Sequence, residues 1–238
     1  SGVSRFYGNV GIGVVPEAWG GNFIASQIGD GAALMGRSTD EYAGFASNAY
    51  YDSVNDRWEY IGSNGTEKAT LYEKVNGTHS FYVAPSGSAD AAISWNTAMT
   101  VDNSGNVLVG KTSTAFGTAG TALRGDNPGL IASTRAGVSL ELNRLSSDGT
   151  IIELAKDGTV VGSIGTTGRP YFASISCGIR PSGTEIMPCN GSGTATDNTY
   201  DIGHPSFRWN DIYATNGTIQ TSDRNEKQDI LAITAAES

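Results

Sequence analysis

Phe207-Arg208-Trp209-Asn210-Asp211-Ile212-Tyr213-Ala214 follows Asp201-Ile202-Gly203 and leads to Asn216-Gly217-Thr218-Ile219-Gln220-Thr221-Ser222-Asp223-Arg224-Asn225-Glu226-Lys227. Here the 238-residue chain changes character most abruptly. Trp209, Asp211 and Tyr213 alternate with Asn210, Ile212 and Ala214, the period of a strand. Asn216-Gly217 is a strong hairpin signal, because both residues tolerate positive φ. From Asp223 onward there is neither Gly nor Pro, and Ile230, Leu231 and Ile233 fall at near-helical spacing. The pattern predicts strands and turns as far as Ser222 and a short helix over 223–238.

Composition extends the strand reading to the whole chain. Gly numbers 32, nearly double the usual ~7%, and charged residues make up only 16%. Many turns and few long helices point to an all-β fold, and Gly does not recur every third residue as collagen requires. Hydrophobic residues reach only 38%, little for a monomer of short strands to bury against its chain entropy. Recurrent apolar runs and 9% aromatics argue against disorder. A core shared between copies, expected to be an elongated intertwined homotrimer with β-prism or β-helix-like segments, suits the composition.

The net charge is −9, with Lys and Arg scattered rather than striped, so phosphate-backbone binding to nucleic acid is not expected. No run of eighteen apolar residues supports membrane insertion, and no secretory signal opens the chain; Ser1-Gly2 reads as the edge of a fragment. Cys177 and Cys189, twelve apart, have no His partners nearby and read as two thiols rather than metal ligands, with a disulfide left open. His79 and His204 lack ligand spacing. No metal and no cofactor are expected.

Along the chain, Gly8-Asn9-Val10-Gly11-Ile12-Gly13 recurs as Gly105-Asn106-Val107-Leu108-Val109-Gly110. Both copies read as hairpin units beginning a segment, although one pair is too few for a solenoid. Between them lies the most aromatic part, 15–104, of a β domain expected over 1–111, with candidate strands over 42–51, 57–62, 69–75, 79–83, 91–95 and 98–101. The intervening breaks, Asn55-Asp56, Asn64-Gly65, Asn76-Gly77 and Pro85-Ser86-Gly87, supply turn residues. The sequons at Asn64 and Asn76 equally spell hairpin turns. A Gly/Thr/Ala-rich connector without an obvious strand spans 112–129. A β-meander, shaft or tip follows over 130–200, with strands expected over 130–134, 138–143, 151–154 and 160–164 and turns at Asp148-Gly149 and Asp157-Gly158. Shorter runs lie over 171–175 and 185–187. The segment 201–222 is expected to be a distal trimeric β end, and 223–238 the start of a helix.

The run from Asp201 to Lys227 resembles the junction between a phage tail fibre, tailspike or endosialidase and its C-terminal intramolecular chaperone. The matching residues are Thr221-Ser222-Asp223 and Lys227, five positions after the Ser. The resemblance implies a chaperone that templates a trimer and then releases itself by autocleavage between Ser222 and Asp223, with Ser222 and Lys227 catalytic. A serine hydroxyl needs a base, and a lysine can serve if burial lowers its pKa. Five helical residues span about 500°, so direct contact would need a non-helical turn or a neighbouring chain. The alternative is structural: Ser222 or Asp223 caps the helix with Glu226, and Lys227 is solvated. The chain ends at Ser238, too soon for a whole chaperone, so the cleavage chemistry is expected to be incomplete.

The resemblance further implies the distal, receptor-binding part of a trimeric tail fibre in the virion, at the phage tail tip, joined to other tail proteins upstream. Its expected partner is a bacterial surface polysaccharide. Tyr51, Trp58 and Tyr60, beside Asp52, Asp56 and Glu59, are the candidate glycan contacts; their other reading is core, as for most clustered aromatics. A polysaccharide-degrading tailspike and a purely structural shaft are the alternatives. The former needs paired carboxylates that one sequence does not locate.

Overall fold

A computed structural model describes residues 6–37, 39–62 and 64–215. The described residues are all-β, with seventeen strands and no helix. The expected helix over 223–238 and the residues Ser222, Asp223 and Lys227 lie outside the described residues. The chain divides into two compact units, 1–141 and 142–238.

The first unit is built on a ten-stranded sheet. Its strands are β1 (Val10–Ile12), β2 (Phe23–Ile28), β3 (Ala32–Arg37), β4 (Ala43–Ser47), β7 (Lys68–Val75), β8 (Thr78–Ser86), β9 (Asn96–Val101), β10 (Val107–Val109), β11 (Gly120–Arg124) and β12 (Leu130–Thr134), paired in that order. A separate hairpin, β5 (Tyr50–Asp52) with β6 (Arg57–Glu59), leaves the sheet between β4 and β7. All sheet pairings are antiparallel except β1 with β2.

Alternation along these strands separates two faces. The inner face carries Phe23, Ala25, Gln27, Ala33, Met35, Ala46, Ala69, Leu71 and Ala84, all buried. The β5–β6 hairpin covers it, bringing Tyr50, Tyr51 and Trp58 against Trp19 and Phe23. Backbone hydrogen bonds hold the hairpin on both flanks, from Gly20 N to Tyr51 O (2.8 Å) and from Ile93 N to Trp58 O (2.9 Å). The inner aromatics meet mostly edge to face, the arrangement their quadrupoles favour. The small Ala residues let the covering layer approach closely.

The outer face is also largely apolar, and among the described residues much of it stays exposed. The register aligns Leu34, Phe45, Tyr72, Phe81, Met99 and Val109 in one row across six strands. Leu34 is 59% exposed and Phe45 50%.

The second unit is a five-stranded antiparallel meander: β13 (Gly149–Lys156), β14 (Thr159–Thr166), β15 (Pro170–Ser174), β16 (Cys177–Ser182) and β17 (Glu185–Asn190). One face holds Tyr171, Ala173 and Cys189, the only buried apolar cluster among the unit's described residues. The other carries the row Ile152–Ile164–Phe172–Ile179–Pro188.

The repeated Gly-Asn-Val motif does one job twice. Asn9 Oδ1 accepts from Ala25 N at 3.0 Å, and Asn106 Oδ1 accepts from Gly125 N at 2.9 Å and Asp126 N at 3.2 Å. Each Asn thus ties its strand to chain 16 to 20 residues later. A glycine in the left-handed region ends each strand, Gly13 at φ 74° and Gly110 at φ 66°. Only the second copy is a hairpin, β9 to β10 across the Asp102 turn. The first is corrected: β1 pairs in parallel with β2, because its partner is delivered by a longer connection. Burial works to raise the Asp102 carboxyl, but hydrogen bonds from the Asn106 side chain and from the Asn106 and Ser104 backbone outweigh it and hold the group below its ordinary range.

Several expected strands differ. The run 42–51 splits into β4 and β5 at Asn48, whose φ is 52°. Residues 91–95 and 138–143 form no strand, and β2, β3 and β16 have no counterpart among the expected strands. The 112–129 segment contains β11. Lys111, itself buried, fixes the preceding loop by donating from Nζ to Ala115 O (2.9 Å) and Thr118 O (3.0 Å). The expected strand over Trp209–Ala214 is absent too. Among the described residues this stretch pairs with no strand, and Trp209, Ile212 and Tyr213 are exposed.

Cys177 pairs in register with Asn190, whereas Cys189 pairs with Gly178. Adjacent register positions face opposite sides of a sheet, so the two thiols point apart and cannot bridge within the chain. Both are free, Cys177 exposed and Cys189 buried. Unfolded without reductant, the protein is expected to titrate two thiols per chain; a count of zero at the mass of a single chain would contradict the register.

Candidate functional site

The three candidate glycan contacts lie together on or beside the β5–β6 hairpin. Tyr51 and Trp58 are directly opposite in register, with ring centroids 5.6 Å apart. Both turn toward the core. Trp58 meets Trp19, Phe23 and Trp95, and Tyr51 meets Phe23. Tyr51 Oη donates to Asp56 O at 2.9 Å. Tyr60, only 3% exposed, donates to Pro85 O at 2.7 Å. Gly87 sits where a Cβ would strike the Tyr60 ring, so the tyrosine is closed in by backbone as well as side chains. Tyr51 and Trp58 keep partial exposure, and Tyr60 offers no face to a ligand.

The far side of the hairpin is polar. Glu59, 1% exposed, receives hydrogen bonds from Tyr50 Oη (3.1 Å), Asn55 Nδ2 (2.9 Å) and Arg57 Nε (2.8 Å). Tyr50 Oη also lies 3.1 Å from Asp90 Oδ1; its single proton serves one carboxylate at a time. Burial first, then the contacts with Asp90 and Glu59, pushes the Tyr50 hydroxyl far above its ordinary range. Glu59 is therefore an enclosed, satisfied acid that fixes the hairpin, out of reach of a polymer substrate.

A polar concavity of the first unit lies elsewhere. An open cleft of about 720 Å³ is lined by Glu17, Asp30, Asn48, Asn64, Glu67 and Lys68, among others. Asn48 builds it: its left-handed backbone turns the chain out of β4, its Oδ1 accepts from Gly62 N (2.6 Å), and its Nδ2 donates to Glu67 O (3.2 Å). Asn64 Nδ2 donates to Glu67 Oε1 on the rim. Burial, and then the charges of Asp90, Asp30 and Asp52, raises the Glu17 carboxyl. Carboxylates and amides around an open cleft suit the hydroxyl donors of a sugar. No single segment announced these residues: they span positions 17 to 68 and meet only because β4 passes over the hairpin to pair with β7.

His79 hydrogen-bonds Tyr72 through Nδ1 at 2.7 Å on the outer sheet face. Among the described residues no group of three His, Cys, Asp or Glu side chains is placed to hold a metal ion. No family model, curated protein or solved structure matched this chain.

Proposed function

We propose that this chain is the distal, receptor-binding part of a homotrimeric phage tail fibre, adhering to a bacterial surface polysaccharide and carrying at 221–227 the junction to a self-releasing chaperone. One observation carries the multi-chain part: the second unit has strands enough for a domain, but among its described residues the buried apolar cluster is only Tyr171, Ala173 and Cys189. Its opposite face leaves Ile164, Phe172 and Ile179 open. Such a sheet lacks the apolar burial that offsets the ordering of its strands, and neighbouring copies supply the missing layer. The exposed 208–213 stretch, which pairs with no strand among the described residues, gains strand partners in the same way.

Adhesion is favoured over catalysis because Glu59, between Trp58 and Tyr60 in sequence, is enclosed, while the polar cleft is open to hydroxyls. Three copies multiply weak contacts with a repeating polymer. Light scattering on the native protein is expected to return three chain masses, and the trimer should retain, without shortening, the polysaccharide of its host. A single-chain mass would remove the fibre reading, and shortened polysaccharide would favour a tailspike enzyme instead.

A further inference from the structure

We infer that the outer face of the ten-stranded sheet is the seam at which copies of this chain meet, each copy covering the others with the same face; this rests on the multi-chain reading above but on a different unit. The face is assembled by register rather than by any one segment. The row Leu34–Phe45–Tyr72–Phe81–Met99–Val109 is flanked by a row containing Ile24, Val101, Val107, Leu123 and Ile131, and by another with Ile28 and Val83. Tyr72 and Phe81 stack at 4.8 Å. Phe45 stands next to Tyr72 in register.

Three observations select a second copy as the occupant. Size is the first: Ile24, Ile28, Leu34, Phe45, Phe81, Val83, Val109, Leu123 and Ile131 are each between 36% and 69% exposed. A monomer seldom shows an apolar patch beyond a few hundred Å², whereas a stable interface takes about 800 Å² from each partner.

Charge is the second. The protein carries −9, yet the outward positions of this sheet include no Asp or Glu; Lys68 and Lys74, near the two ends of β7, are their only formal charges. A face that meets its own copy cannot carry many carboxylates without like-charge repulsion, and interface cores are depleted of charge. A glycan seat would call for the polar acceptors that cluster instead in the cleft.

The third is that the chain's own covering material is spent. The β5–β6 hairpin and its flanks close the inner face, while on the outer one Phe6 and Ser139 reach only the edges and Leu34, Phe45 and Ile131 stay at least half exposed.

The test is the native mass of the Phe45→Glu/Phe81→Glu double variant beside the unsubstituted protein, with near-UV circular dichroism reporting on Trp19, Trp58 and Trp95 across the sheet. The expected result is a fall from three chain masses to one with the near-UV signal kept. As a milder probe, Leu34→Cys in a Cys177→Ser background should resist maleimide until the protein is denatured. A double variant that stays trimeric, or a thiol at position 34 that labels at the rate of an exposed one in the native trimer, overturns the seam and leaves the fibre reading standing. An unsubstituted protein of one chain mass overturns both, and protection of that thiol only on adding polysaccharide would make the face a glycan seat.

Discussion

Trp19→Ala is expected to destabilise the first unit by about 3–5 kcal/mol, the range for truncating a large buried aromatic. Trp19 is 7% exposed and lies edge-on to Phe23, Tyr50 and Trp58, each at 6.3 Å between centroids. It is the wedge between the sheet and the hairpin. Its Nε1 donates to Gln27 Oε1 at 3.3 Å, and Gln27 has no exposure of its own. Truncation therefore opens a cavity and weakens a buried amide's bonding together. The surroundings cannot collapse freely, because the backbone at this point is tied to the hairpin through Gly20 N and Ser53 N. A denaturant midpoint with unchanged slope measures the loss. A cost below about 1 kcal/mol would mean that this indole is not a core residue, and Trp19→Phe should recover part of the loss.

Gly178→Val is expected to open the second unit between β15 and β16, at a cost of about 3 kcal/mol, the upper part of the usual overpacking range. A Cβ at Gly178 would fall 2.3 Å from Phe172 O and 2.5 Å from Ala173 Cα. These are backbone atoms of the paired strand and cannot swing aside. Only two register pairs, Phe172 with Ile179 and Ala173 with Gly178, join these strands, so little pairing remains once one of them parts. Cys189 gives a local readout. Buried beside Tyr171 and Ala173 in the native unit, its thiol should react with a maleimide far faster in the variant than in the parent protein. Unchanged protection would show that the strands tolerate the extra side chain.

The strand content was legible where turn chemistry is local. Asn76-Gly77 joins β7 to β8 with φ values of 49° and 76°, and Asp157-Gly158 joins β13 to β14 with 51° and 76°, the two-residue turns that such dipeptides favour. Leu130–Thr134 appeared as a strand with its expected limits. Legibility failed where strands are unremarkable in sequence: Phe23–Ile28 is broken by Ala25, Ser26 and Gln27, Ala32–Arg37 carries two Ala and a Gly, and both owe their form to packing against Trp19 and Tyr42. Tyr51, Trp58 and Tyr60 were visible as a cluster, but whether an aromatic cluster faces in or out depends on the layer opposite, which the β4-to-β7 step creates. The cleft around Asn48 was illegible for the same reason. The two open faces were hidden too, since alternation reveals that a strand has two sides and not that both are apolar.

The pairing order has a consequence for biogenesis. Apart from the step over β5–β6, each sheet strand bonds to its immediate neighbours in sequence. Contacts are short in range, so each rung can form soon after it leaves the ribosome, without waiting for distant chain to return. Under the assembly proposed above, what remains slow is bimolecular: nascent ribbons, each with an oily side showing, must find one another before they find something else, and that encounter depends on concentration.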